Sequence, residues 1–243
     1  MSNDIELKSS HASSPTTGAP IPATNWRTSK WLAVSELLVA ALLFTASAFH
    51  RLPLGRGPWL LALGWGSLLF RKIGWRGVGL NWYRGWTTTV AIGFGCGVLL
   101  ELFELFVSQP ILVRLIGKKA DLSQFRDLVG NLRETALYIL LVWIVAAFGE
   151  EMIYRGYLMN RVADLFDLTR NAWIVSLIVV HIAFGLAHSY QGLTGVIDEG
   201  VMGVLLAAIY LRTGRNLAVP IVAHGVQDSI DLILIFMGKY PGM

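Results

Sequence analysis

The chain alternates long apolar runs with short polar stretches. The apolar runs cover residues 32–49, 59–70, 87–107, 135–149, 172–188, 195–211 and 217–237. About 20 apolar residues in a helix cross the roughly 30 Å of hydrocarbon in a bilayer. Most of these runs approach that length. The run 59–70 is shorter, so it reads as a tilted span or a re-entrant piece. The run 135–149 passes directly into Glu150 and Glu151. Pro220 and the polar stretch 224–231 offer a break in the last run, giving eight helices instead of seven. Residues 110–134 mix Lys118, Lys119, Asp121, Arg126 and Asp127 and read as an interfacial amphipathic helix or loop. No run alternates with the period of two that a membrane barrel requires. The pattern predicts an all-α polytopic membrane bundle of 7–8 transmembrane helices. It forms one domain over residues 29–243, with the candidate chemistry inside 135–237. Residues 1–28, rich in Ser, Thr, Ala and Pro, read as a disordered tail. The first apolar run starts too late and extends too far for a secretory signal.

Composition agrees with that reading. Of the 243 residues, 54% are hydrophobic and 15% charged. A soluble domain carries about 25% charged residues, so a water-facing surface cannot be built from this chain. The mean hydropathy is +0.56 and the pI about 9.3. The net charge of +4 sits in loops between apolar runs, the distribution of membrane proteins and not of nucleic-acid binders. With seven crossings, ten Lys and Arg (Arg27 to Arg215) fall on the N-terminal side and eight (Arg51 to Lys239) on the other. That excess assigns the N-terminal side to the cytoplasm, the membrane being the cytoplasmic one in a prokaryote. Cys96 is the single cysteine, so an internal disulfide is excluded and the residue reads as a packing group.

Ionisable groups at membrane depth are costly and mark function by default. Four positions stand out. Glu150 and Glu151 are adjacent, hence about 100° apart on a helix. Glu151 and Arg155 are spaced i, i+4 and can pair, which leaves Glu150 to face elsewhere as a candidate general base. His188 closes an apolar helix, with His181 seven residues earlier on roughly the same face. His224 and Asp228, again i, i+4, put an imidazole beside a carboxyl. Each cluster also has a structural reading: a salt-bridged helix end, a C-cap, and an interhelical hydrogen bond. Ser189 follows His188, but neighbours on a helix do not face each other, which argues against a serine nucleophile. Glu101 and Glu104, at i, i+3, either line a cavity or sit near the interface. Tyr190, Asp198, Glu199 and Asp231 are rim or supporting candidates.

Taken in order, the chain reads Glu-Glu-x-x-x-Arg, Phe-x-x-x-His and His-x-x-x-Asp, at Glu150 to Arg155, Phe184 to His188 and His224 to Asp228. This arrangement resembles the three motifs of the CAAX-processing and bacteriocin-processing (CPBP) endopeptidases, the family of the type II CAAX prenyl endopeptidase. The resemblance covers about residues 135–237. It implies an intramembrane protease in which Glu150 and His188 activate a water. His224, with Asp228, would stabilise the oxyanion, and Arg155 would orient Glu151 or lock the helix. The CAAX endopeptidase has Asn where this chain has Asp228, and the wider family admits either. An ionised Asp cannot donate to an oxyanion, so Asp228 would act protonated, orient His224 or bind a metal. A glutamate mechanism without a cofactor is the favoured expectation. The alternative is zinc held by Glu150, His188 and His224. The soluble signature His-Glu-x-x-His is absent.

The resemblance makes the partners membrane lipid and a membrane-associated peptide, either a prenylated CAAX-type substrate or a propeptide. Nucleic acid is not among them. Family members linked to bacteriocin immunity or scaffolding supply a non-catalytic alternative. A transporter using Glu and His as a proton relay is a third reading, although no inverted repeat is visible.

Overall fold

The computed structural model describes residues 29–241, so the tail expected over residues 1–28 lies outside the described residues. Among these, seven helices run back and forth: α1 (Lys30–Ala48), α2 (Gly57–Arg71), α3 (Trp86–Ile116), α4 (Leu132–Leu165), α5 (Arg170–Ala187), α6 (Ser189–Arg212) and α7 (Ala218–Phe236). Six are long and apolar enough to cross a membrane. The exception is α2, whose 15 residues span about 22 Å. The protein is an integral multi-pass membrane protein.

Local chemistry explains the helix limits. The side chains of Ser29, Asn131 and Thr169 accept backbone N–H groups at the starts of α1, α4 and α5. Helix α7 is not broken. Pro220 falls in its first turn, where no intrahelical N–H is needed, so the eighth helix does not form. Helix α3 runs beyond its expected end because a π-type turn over Glu104–Ser108 precedes Pro110; the widened turn makes room for the proline ring. Helix α4 exceeds the expected run most. It continues through Glu150 and Glu151 to Leu165, widened into π-type turns over Val142–Leu158. The segment 110–134 therefore divides: its start extends α3, and residues 123–128 form a short 3₁₀ turn.

Two devices lock the bundle. At the face where α1 begins, Arg71 donates to both carboxylate oxygens of Glu36, at 3.2 and 3.0 Å, tying α2 to α1. Arg161 and Asp164 of α4 join this group, with Arg161 3.1 Å from Asp164. The second device is backbone approach. Gly93 and Gly97 of α3 face α7, and a Cβ on Gly97 would lie 2.5 Å from the Ala223 carbonyl oxygen. This small-x-x-x-small spacing lets two membrane helices touch at their backbones. The crossing fixes the height of His224, the next residue along α7.

Candidate active site

The π-widened stretch of α4 points its two glutamates apart. Glu151 is fully buried. Arg155 donates to its Oε1 at 2.7 Å and to the Gly203 carbonyl of α6 at 2.8 Å. Glu151 and Arg155 therefore pair, as their spacing predicts. Glu150 has no part in that pairing and lines a cavity. π-type turns concentrate at functional sites because they re-aim side chains in this way.

The Phe-x-x-x-His motif has a packing reason. The Phe184 ring carries the Arg155 guanidinium over its face, 5.0 Å from the centroid. On its other contacts it meets the Tyr154 and His188 rings, each with centroids 4.8 Å away. His188 forms the C-cap of α5, and its Nδ1 lies 2.9 Å from the Phe184 carbonyl oxygen. A carbonyl only accepts, so Nδ1 carries the proton. Nε2 of the neutral ring is then left with a free lone pair, the form a general base needs. Arg56 adds support by donating to the Ala187 carbonyl at 2.8 Å. His181, by contrast, is buried with its Nδ1 against the Leu177 carbonyl oxygen and does not reach the cavity wall.

On α7, His224 stands between two carboxylates. Its Nδ1 is 2.9 Å from Glu151 Oε1 and its Nε2 is 3.5 Å from Asp228 Oδ2. The second distance is long for a hydrogen bond, so Glu151 is the firm partner. The i, i+4 spacing predicted the Asp228 contact. The Glu151 contact joins residues 73 positions apart, and only the packing of α4 on α7 creates it.

Glu150, His188, His224 and Asp228 line one cavity of about 210 Å³. It lies toward the face where α3, α5 and α7 end, closed partly by Ala120, Leu122 and Phe125 of the connecting segment. Among the described residues, the ligand atoms of Glu150, His188 and His224 do not all come within 4.8 Å of one another. His224 Nδ1 is also committed to Glu151. A tetrahedral zinc site needs donors about 2 Å from one point.

The cavity is strongly acidic. Glu104, Asp198, Glu199 and Asp231 line it together with Glu150 and Asp228, and among the described residues no Lys or Arg does. Glu104 is held by three neutral donors: Gln109 at 2.9 Å, Tyr240 at 2.8 Å and Gln227 at 2.6 Å. Ser108 donates to Asp198 at 2.5 Å, and Gln191 to Glu199 at 3.0 Å. Glu101 is buried with no amide, hydroxyl or guanidinium donor on either oxygen, and its hydrogen-bond neighbour is the Asp231 carboxyl. Its oxygens lie with those of Glu104 and Asp231 inside a 4.8 Å cluster. The sequence left Glu101 and Glu104 either lining a cavity or near the interface, and Asp231 as a rim or supporting group. It gave no sign that the three meet, nor of the roles of Gln109, Gln227 and Tyr240. These are ordinary polar residues until the helices pack.

The model of the family "Type II CAAX prenyl endopeptidase Rce1-like" matches residues 132–230, a segment that contains all three motifs. Over 160 residues the chain is 26% identical to an uncharacterized 24.3 kDa protein of Escherichia coli, covering 65% of each chain. No solved structure matches. The family that the three motifs resemble is the family whose model matches, and over residues 132–230 this membrane protein is similar to the Rce1-like endopeptidases.

Proposed function

We propose that the protein is an intramembrane endopeptidase that hydrolyses a peptide bond of a membrane-associated substrate, of the prenylated CAAX type or a propeptide. The reading rests on one observation above the others. Three helices contribute a carboxylate and two imidazoles to a single cavity, while the Glu151–Arg155 pair is buried behind it.

In the proposed reaction, Glu150 and the free Nε2 of His188 orient a water and polarise it. The water's proton passes to the Glu150 carboxylate as its oxygen attacks the scissile carbonyl carbon. Negative charge then builds on the carbonyl oxygen. His224, protonated on both ring nitrogens between the Glu151 and Asp228 carboxylates, donates its Nε2–H to that oxygen while Nδ1–H stays on Glu151. A fixed donor aimed at developing charge is worth about 10²–10³ in rate. Collapse of the tetrahedral species breaks the C–N bond, and the leaving amine takes the proton from Glu150. No step requires a metal.

The test is cleavage of a peptide library, prenylated members included, by the protein reconstituted in vesicles. Glu150→Gln keeps the size of the side chain and removes the base. The reading requires wild-type cleavage that survives a strong chelator and falls at least a hundredfold in Glu150→Gln. Undiminished cleavage in Glu150→Gln would sink it.

A further inference from the structure

A second cavity lies at the opposite face and has the opposite electrostatic character. It encloses about 330 Å³ between the loop leading into α3 and the turn joining α6 to α7. Arg76, Arg84 and Arg215 line it, and among the described residues no Asp or Glu does. None of the three arginines has a carboxylate partner among the described residues. Arg84 lies over the Tyr83 ring and Arg215 over the Trp173 ring, at 5.3 and 5.0 Å from the centroids.

The walls are fixed. Asn216 donates to the carbonyl and side-chain oxygens of Asn81 at 2.8 and 2.9 Å, and caps α7 by accepting the Val219 N–H. Leu217 N–H donates to the Gly79 carbonyl at 2.9 Å. Gly79 has φ +107°, and any Cβ there would collide with the Arg215 carbonyl oxygen. The two loops can close this tightly only with glycine at that position. Burial is deep at the floor, where Asn160 and Tyr210 lie.

Depth is marked by Trp82 and Trp86, 63% and 64% exposed. Exposed tryptophans at helix starts sit at the headgroup level of a bilayer. A preformed basic pocket at that level has the chemistry of a phosphate receptor, since guanidinium pairs with phosphate oxygens in forked geometry.

We propose that this pocket binds a phosphate group, presented by the headgroup of an anionic phospholipid. Arg76 and Arg215 supply the charge, and the Asn81–Asn216 wall holds the cleft open. Bound lipid would clamp the two loops that fix the start of α7, and hence the helix that carries His224.

The experiment uses the full chain in mild detergent. Lipid binding is read by native mass spectrometry and by thermal melting, with phosphatidylglycerol, phosphatidylcholine and inorganic phosphate as separate additions. Wild type should prefer phosphatidylglycerol to phosphatidylcholine and melt higher with it. Arg76→Gln should weaken that preference about fivefold, and Arg76→Gln/Arg215→Gln about 25-fold, given about 1 kcal/mol per basic residue at an anionic surface. Arg76 makes no side-chain hydrogen bond or ion pair among the described residues, so the single variant leaves folding intact. If millimolar phosphate alone raises the melting temperature of wild type and displaces the lipid, the phosphate comes from a soluble compound and the chemistry of the pocket stands. Equal binding of both lipids with no response to phosphate overturns the proposal. So does a double variant that keeps the full preference.

Discussion

His224 Nδ1 lies 2.9 Å from Glu151 Oε1, so the second glutamate of the adjacent pair grips a histidine on another helix. The same oxygen receives Arg155 at 2.7 Å. Arg155, Glu151 and His224 thus form one buried chain from the protein interior to the cavity, and Glu150 is left to the cavity alone.

Breaking this chain at one link leaves a charge stranded in the interior. Arg155→Met and Glu151→Gln should each destabilise the protein by about 3–5 kcal/mol. The double variant should recover part of the loss, because neither charge remains. Thermal melting of the four proteins in one detergent checks this. Additive losses would show that the two side chains do not act as a pair.

Glu151 also positions His224. If the proposed reaction holds, Glu151→Gln should lower kcat more than it raises KM, since the oxyanion contact forms only in the transition state. A change confined to KM would assign Glu151 to substrate binding instead.

Asp228 stands 3.5 Å from His224 Nε2, at a position where the CAAX endopeptidase has Asn. Asn donates a hydrogen bond where an ionised Asp cannot. Asp228→Asn should keep cleavage within about tenfold of wild type, while Asp228→Ala should lose about 10². Comparison of kcat/KM for the three proteins decides it, and equal loss in both variants would make the negative charge itself essential.

The crossing of α3 on α7 depends on Gly97. Gly97→Val would drive a side chain into Ala223 and Val226 and should cost about 1–3 kcal/mol through overpacking. Gly95→Val, two residues away with open space around it, should be neutral in the same melting experiment. Equal behaviour of the two variants would contradict the observed contact.

Glu101 and Glu104 sit one turn apart and should respond in opposite ways. Glu104 accepts three hydrogen bonds, so Glu104→Leu strands buried donors and should cost about 1–3 kcal/mol. Glu101 has no amide or hydroxyl donor and lies with two other carboxyls within 4.8 Å. Glu101→Gln replaces one of the three carboxyls with a side chain that can donate to the other two and should raise the melting temperature. A lower melting temperature for Glu101→Gln would mean that its carboxylate is engaged with something that pays for its burial, such as a cation.

The sequence by itself determined the solvent of this protein and the identity of its polar clusters. Runs of apolar residues near 20 long admit only helices in lipid, because every backbone group must be bonded within its own segment. Local spacing likewise set the contacts made within one helix: Glu151 with Arg155, His224 with Asp228, and Phe184 with His188. Each is a spacing of four residues, close to one helical turn, and needs no knowledge of the neighbouring helices; Glu151 and Arg155 keep it even in the widened stretch of α4.

Tertiary structure decided everything that crosses between helices. The Glu151–His224 contact, the Arg155 guanidinium on the Phe184 ring, and the meeting of Glu101, Glu104 and Asp231 all depend on which helix faces are packed together. So do the lengths of α3 and α4. Their polar residues look like helix ends in the sequence, but they are buried against other helices and the helices run on through them. Hydropathy records how apolar a residue is, and has no means of recording whether the polar ones face water or each other.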